Sequence, residues 1–286
     1  MSNSWLERRV VAYAHQGGAW EAPSSTLHAI AGALEHGATA VELDVHATKD
    51  RHLVVCHDET VDRTTNGAGQ ICELTLDELQ RLDNAYWWAP GADVSPGLDD
   101  DAYPLRGRAP DDASLRVATL AEVLGALEGV VVNLDIKRTA PDVEPYEALL
   151  AEALRAHGRG DDTIVASFSD PAIAAFRRAA PEFQTSLATL ETAEFYRDVH
   201  AGEPPAATQG VALQVPATFG EVTVVDEAFV EGAHAAGLAV HVWTINDTVE
   251  MRRLIALGVD GIISDTPTAL VEVLNEAGCA WGGLSP

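Results

Sequence analysis

The sequence predicts an α/β chain folded as a (β/α)8 TIM barrel, and three observations point there. Short apolar runs alternate with helically spaced segments almost from end to end. Two of the runs, VVVNLDIK and VDGIISD, are apolar on successive residues, as strands buried on both faces are. The length of 286 residues suits a single-domain barrel, which typically takes about 250. An open, doubly wound sheet is the alternative, but eight βα units favour closure.

In chain order, a strand at Val10–His15 precedes helical spacing over Thr26–His36, and a second strand runs over Ala40–Val45. After an excursion come the helix Thr119–Glu128 and the strand Val130–Ile136, which leads into Pro145–His157. Thr163–Phe168 leads into Pro171–Ala179, and Gln184–Ala188 into Thr192–His200. Val211–Val215 leads into Asp226–Ala236, Ala239–Thr244 into Asp247–Leu257, and Gly261–Ser264 into Pro267–Asn275. Parallel neighbours need crossover connections of this length, usually helices. The excursion, about residues 59–118, carries a helix near Thr75–Leu82 and then a stretch rich in Pro, Gly and Asp around Trp87 and Trp88. A long irregular segment in a compact domain is expected to act as a cap over the barrel mouth or to decorate the surface. The whole chain, 1–286, reads as one domain containing this insertion.

Composition narrows the function. Hydrophobic residues make up 47% of the chain, which excludes wholesale disorder. With 44 acidic against 18 basic residues, the formal charge is −26. Nucleic-acid affinity comes mainly from Lys and Arg neutralising phosphates, so a nucleic-acid partner is disfavoured. An anionic small-molecule substrate needs a local correction, by a bound cation or a few basic residues. The three cysteines have no metal-type spacing and read as free thiols of a reducing compartment. No apolar leader core precedes the first strand and no run approaches roughly 18 apolar residues, so a cytoplasmic protein without an integral membrane segment is expected.

The chemistry concentrates in VELDVHATKDRHLVVCHD. Alternation along the strand puts Glu42 and Asp44 on one face and Leu43 and Val45 on the other. Two inward carboxylates are costly without compensation, and a divalent cation such as Mg²⁺, Ca²⁺ or Mn²⁺ is the simplest compensation. The connection after Val45 is too short for a crossover helix and predicts a β-hairpin turning at Asp50–Arg51. In that register Asp44 lies opposite His57, at the roughly 5 Å of opposed residues. His46 shares the face of the two acids and is a further candidate for the mouth, whereas Cys56 points away from His57. His15 closes the first strand and is followed by glycines that allow close backbone approach. Asp135 and Lys137, two apart, share a face at the end of VVVNLDIK. Singly, each is an ordinary strand-end residue; jointly they gather three carboxylates, two histidines and a lysine at the C-terminal ends of strands, where barrel active sites lie. His28, His36, His157, His200 and His234 fall in helical stretches and read as surface or cap residues, and Asp99–Asp101 as a solvated charge run.

The stretches AHQGG, APSST, VELDV, LVVCHD and VDRTTNGAG, followed in order by LDIK, SFS, VWTIN and GVDGIISDTP, resemble the glycerophosphodiester phosphodiesterase family over nearly the whole chain. The resemblance implies that His15 and His57 form the acid–base pair and that Glu42, Asp44 and Asp135 hold a cation, Mg²⁺ or Ca²⁺. It also implies that Lys137 binds phosphate and Trp243 walls the substrate site. Three positions depart from the family pattern. Gln16, a candidate substrate-binding position, stands where the family has Arg, which removes a fork of phosphate donors. Ser24 stands at the glutamate of the PENT-like loop, with Glu21 nearby as a possible replacement. Asp135 stands where Glu is usual, as in the similar lysophospholipase D-type enzymes and spider-venom phospholipase D toxins. The expected reaction is metal-dependent hydrolysis of glycerophosphodiesters to glycerol 3-phosphate and an alcohol, in which the substrate's glycerol hydroxyl can attack first to give a cyclic phosphate. Two alternatives stand beside it: a lysophospholipase D acting on lysolipids, with an apolar lip at Trp87 and Trp88, and a barrel that binds phosphodiesters or metal without turnover.

Overall fold

Eight parallel strands set out the barrel: β1 (Val11–His15), β2 (Ala40–Ala47), β4 (Val131–Ile136), β5 (Thr163–Ala166), β6 (Gln184–Thr185), β7 (Ala212–Pro216), β10 (Ala239–Trp243) and β11 (Gly261–Ser264). The computed structural model describes residues 3–92 and 94–284; residues 1, 2, 93, 285 and 286, which the expected 1–286 domain includes, lie outside the description. The sheet runs β6-β5-β4-β2-β1-β11-β10-β7. A parallel bridge between Ser186 and Ala212 brings its two ends together, with Leu187 N donating to Ala212 O at 2.8 Å. A short antiparallel strand, β3 (Leu53–Val55), pairs with β2, and β8 (Thr218–Phe219) with β9 (Val222–Thr223).

Each barrel strand is followed by a helix: α1 (Leu27–Glu35), α3 (Leu120–Ala126), α4 (Glu147–Ala156), α5 (Asp170–Ala179), α6 (Thr189–His200), α7 (Glu227–Ala235), α8 (Thr248–Leu257) and α9 (Pro267–Ala277), with α2 (Leu76–Gln80) inside the excursion. Their starts are legible locally. Thr75 and Thr119 form capping boxes with Glu78 and Glu122, satisfying orphan donors from both sides. The helix-borne His36, His157 and His200 lie at helix C-termini, each with Nδ1 on the carbonyl four residues back. Among the described residues no helix is long and apolar enough to cross a membrane.

Alternation along the strands divides the core into two shells. Outward residues such as Val41, Leu43, Val45, Val132 and Leu134 pack with Leu120, Leu150 and Phe176 under the helices. Inward residues Val11, Tyr13, Ala40, Val131, Ile164, Ala212, Ala239 and Ile263 fill the lower barrel, which Trp5 plugs from the N-terminal side. The upper interior is polar, and there the strand ends open into the site.

One expectation is corrected. The hairpin pairs Val45 with Val55 and Ala47 with Leu53, one register short of the prediction, so Asp44 lies opposite Cys56 and not His57. The turn takes three residues, with Arg51 at φ 66, a left-handed residue that closes a longer loop than a two-residue turn. The β8–β9 hairpin stands in the connection from β7 to the next helix, where the sequence predicts no strand. Among the described residues none of 59–118 lines the barrel-mouth cavity. That segment packs Val61, Ile71, Leu79 and Val117 against Val54 and Cys56 on the flank of β3.

Candidate active site

Parallel register stacks the predicted residues on one another. His15 is level with Glu42, Glu42 with Asn133, and Asp44 with Asp135, all on inward faces at the strands' C-terminal ends. A cavity of ≈ 540 Å³ opens there, lined by His15, Glu42, Asp44, His57, Asp135, Lys137 and Trp243 among others. His57 reaches it although the predicted pairing is wrong, because it lies beyond the last residue of β3 and its ring is tethered separately.

The two imidazoles are held by the same device. Nδ1 of His15 lies 2.5 Å from Asp265 Oδ1, and Asn246 Nδ2 donates to Asp265 Oδ2 at 2.7 Å. Nδ1 of His57 lies 2.7 Å from Asp58 Oδ1, and Arg63 grips that carboxylate through Nε at 2.5 Å and Nη2 at 3.0 Å. The ring centroids are 6.4 Å apart and nearly perpendicular. An Nδ1–H given to a carboxylate leaves Nε2 as the basic nitrogen of each ring. Burial pulls His15 down, but its hydrogen bond to Asp265 and the charges of Glu42 and Asp44 outweigh this and raise it to about 9. Burial pushes Asp58 up, yet its bonds to His57 and Arg63 hold it well below the usual carboxylate range.

Glu42, Asp44 and Asp135 are buried. Burial raises Glu42 and Asp135, and the charge of Asp44 raises both further against the opposing pull of Lys137. Lys137 Nζ lies 2.7 Å from Asp44 Oδ1 and 2.6 Å from Asp135 Oδ2. Burial disfavours its charge, but the three acids overcome that and keep it protonated. One ammonium does not satisfy three acids: Glu42 Oε2, Asp44 Oδ2 and Asp135 Oδ1 are buried without a hydrogen-bond partner. Hard, unpartnered carboxylate oxygens are the donor set a divalent cation takes, so the residues fit one chemically. Among the described residues no three acidic, His or Cys side chains already form a ligand cluster; Lys137 bridges Asp44 and Asp135.

Other predicted residues lie elsewhere. Gln16 is buried at φ 52, and its Nε2 contacts His15 Nε2 at 3.3 Å without lining the cavity. Gly18 after it is tightly packed: a Cβ there, at φ +96, would meet Pro267 Cγ at 2.8 Å. Glu21 accepts from Thr268 N and Oγ1 at the start of α9 and does not reach the mouth, so it is no replacement for the missing glutamate. His46 is buried behind the site, with Nε2 on His57 O at 3.4 Å, and burial lowers it to about 4. Burial pushes the Cys56 thiol up to about 12, which leaves it unreactive. Trp243 lines the cavity and meets Phe168 edge to face at 5.5 Å. Trp88 is buried with Nε1 on Ala19 O, so no apolar lip forms from it. The residues missed were Asp265, Asn246, Asp58, Arg63, Asn133 and Gln214. Alternation from Asp135 could have found Asn133, whereas the His15–Asp265 contact, spanning 250 residues, has no local signal.

Residues 15–269 match the model of the glycerophosphoryl diester phosphodiesterase family. The chain is 31% identical to a glycerophosphodiester phosphodiesterase of Caldanaerobacter subterraneus subsp. tengcongensis, over 94% of this chain and 100% of that one. A glycerophosphodiester phosphodiesterase of Bacillus subtilis is 29% identical over 93% of this chain and 86% of its own length. The crystal structure of glycerophosphodiester phosphodiesterase from Agrobacterium tumefaciens superposes with a TM-score of 0.68 at 25% identity, over 91% of this chain and 99% of that one.

Proposed function

The chain belongs to the glycerophosphoryl diester phosphodiesterase family, and on that premise we propose that it hydrolyses glycerophosphodiesters to glycerol 3-phosphate and an alcohol at the barrel mouth. One observation carries the reading: two carboxylate-tethered imidazoles, His15 and His57, share a cavity with three buried acids and Lys137. One imidazole takes a proton from the attacking oxygen through Nε2 while the other returns a proton to the departing alkoxide. Asp265 and Asp58 hold Nδ1 of each ring, so that neither turns the wrong nitrogen to the substrate. The Lys137 ammonium neutralises phosphoryl oxygens. Glu42, Asp44 and Asp135 are the residues that would hold a divalent cation, Mg²⁺ or Ca²⁺, which when bound supplies Lewis-acid neutralisation of phosphoryl charge. Trp243 and Phe168 wall one flank of the cavity.

Glycerol 3-phosphate release from glycerophosphocholine, read through a coupled dehydrogenase, tests the reading. Turnover is expected with Mg²⁺ or Ca²⁺ and is expected to stop in excess EDTA. Calorimetric titration of the stripped protein with the same ion is expected to show binding that Asp44→Asn removes. Full turnover in EDTA would take the cation out of the reaction, and no release with either ion would overturn the reading.

A further inference from the structure

Beneath the acids, two amide side chains meet across the barrel interior and stay half paired. Asn133 Nδ2, on β4, donates to Gln214 Oε1, on β7, at 3.2 Å, although the two strands are not neighbours in the sheet. Each amide carries both donors and an acceptor, so two of them side by side can close a ring of two hydrogen bonds. Here the second bond does not form. Among the described residues neither Asn133 Oδ1 nor Gln214 Nε2 has a partner, and both atoms are buried. Buried polar atoms left open are costly, and interiors keep them where something else pairs with them. Both residues line the barrel-mouth cavity. Asn133 is level with Glu42 and two residues before Asp135 on the same face, about 7 Å back along the strand. It is only 2% exposed and fixed in place, whereas Gln214 is half-buried and its longer side chain can turn to admit a group between them. What fits is set by the open atoms, one acceptor and one donor, both neutral. A hydroxyl satisfies the two at once, donating to one and accepting from the other, and a quaternary ammonium satisfies neither.

Resting on the phosphodiesterase reading above, we propose that Asn133 and Gln214 determine specificity by binding the terminal hydroxyl of the substrate's glycerol, with the phosphodiester held above them among His15, His57 and Lys137. The hydroxyl donates to Asn133 Oδ1 and accepts from Gln214 Nε2, closing the ring that the two amides leave open. With both amides turned over, donor and acceptor exchange places and the same hydroxyl fits. The pair therefore reads a free glycerol end, because an ester or ether at that oxygen brings no hydrogen for the amide acceptor. It also sets direction: the glycerol arm points down the barrel, and the departing alcohol faces the open mouth.

The test compares kcat/KM for glycerophosphocholine with that for its deoxy analogue, the propane-1,2-diol phosphocholine diester that lacks only the terminal hydroxyl. The analogue keeps the hydroxyl beside the phosphate-bearing carbon, so attack by that group stays possible in both. In the unaltered protein glycerophosphocholine is expected to be favoured by about tenfold or more, because the analogue leaves both amide atoms unpaired. Gln214→Met keeps the length of the side chain and removes its amide, and it is expected to bring the ratio to within about threefold of one. Asn133→Leu is expected to do the same. A purely structural defect lowers both substrates together and leaves the ratio where it was. A ratio near one in the unaltered protein, or one that either variant leaves unmoved, gives the gap to an ordered water, overturns the glycerol subsite and spares the phosphodiesterase reading. No turnover of either diester by the unaltered protein overturns both.

Discussion

At the scale of single residues, the site works by holding charge in pairs. His57 is aimed by Asp58, and Asp58 by Arg63, an arrangement of one short segment. The sign of its pH dependence follows from Asp58. Its folded carboxyl is held below the unfolded value, so the stability it contributes is full above about pH 4 and is lost as pH falls below that. The expected outcome is that Asp58→Asn melts a few degrees below the unaltered protein near neutral pH and that the gap closes in calorimetry below about pH 4. A gap that stays constant down through that range would mean that the ion pair is not its source. Glu42, Asp44, Asp135 and Lys137 were legible because strand alternation puts residues two apart on one face. Asp265 was not, since only barrel closure carries it to His15. Gln16, at the position where the family pattern has Arg, is turned onto the ring of His15.

Elements were legible where the hydrophobic period was strong and illegible where a turn decided the outcome. Each of the eight barrel strands and their helices appears within a few residues of its expected place. The β2–β3 hairpin was one register out because Thr48 pairs with His52, which makes a three-residue loop. The β8–β9 hairpin has two residues a side and no apolar alternation long enough to announce it. β6, with two residues, is the weakest strand, and its sheet edge joins β7 through Ser186. At the opposite end from the site, Arg159 clamps elements together: its guanidinium donates to Leu127 O at 2.9 Å, Val130 O at 2.6 Å and Thr163 Oγ1 at 3.1 Å, below β4 and β5. Arg159→Met leaves those acceptors unpaired and is expected to cost about 2–4 kcal/mol in denaturant unfolding. Because the clamp is remote from the mouth, kcat/KM on glycerophosphocholine is expected to stay within about twofold. Unchanged stability would show that water replaces the clamp.

For the whole molecule, barrel topology turns scattered strand-end residues into one site. His15 and Asp265 lie on and just after β1 and β11, neighbours only because the first and last strands pair. Several motifs of the family pattern, AHQGG, VELDV, LDIK, VWTIN and GVDGIISDTP, fall at the C-terminal ends of barrel strands, so that closure gathers them. In the proposed reaction the strongly negative surface and the half-buried Lys137 ammonium at the mouth divide the work: bulk charge would keep polyanions away, while Lys137, with a cation held by the three acids, would neutralise a single phosphodiester. The excursion over 59–118 braces β3 and His57 from the side and leaves the mouth to the α6 and β8–β9 wall.

The most direct measurement is kcat for glycerol 3-phosphate release from glycerophosphocholine by His15→Ala and His57→Ala beside the unaltered protein. The prediction is a loss of about 10²–10⁴-fold in each, with far-UV circular dichroism unchanged. Near-normal turnover by either variant would contradict a mechanism built on the two tethered imidazoles.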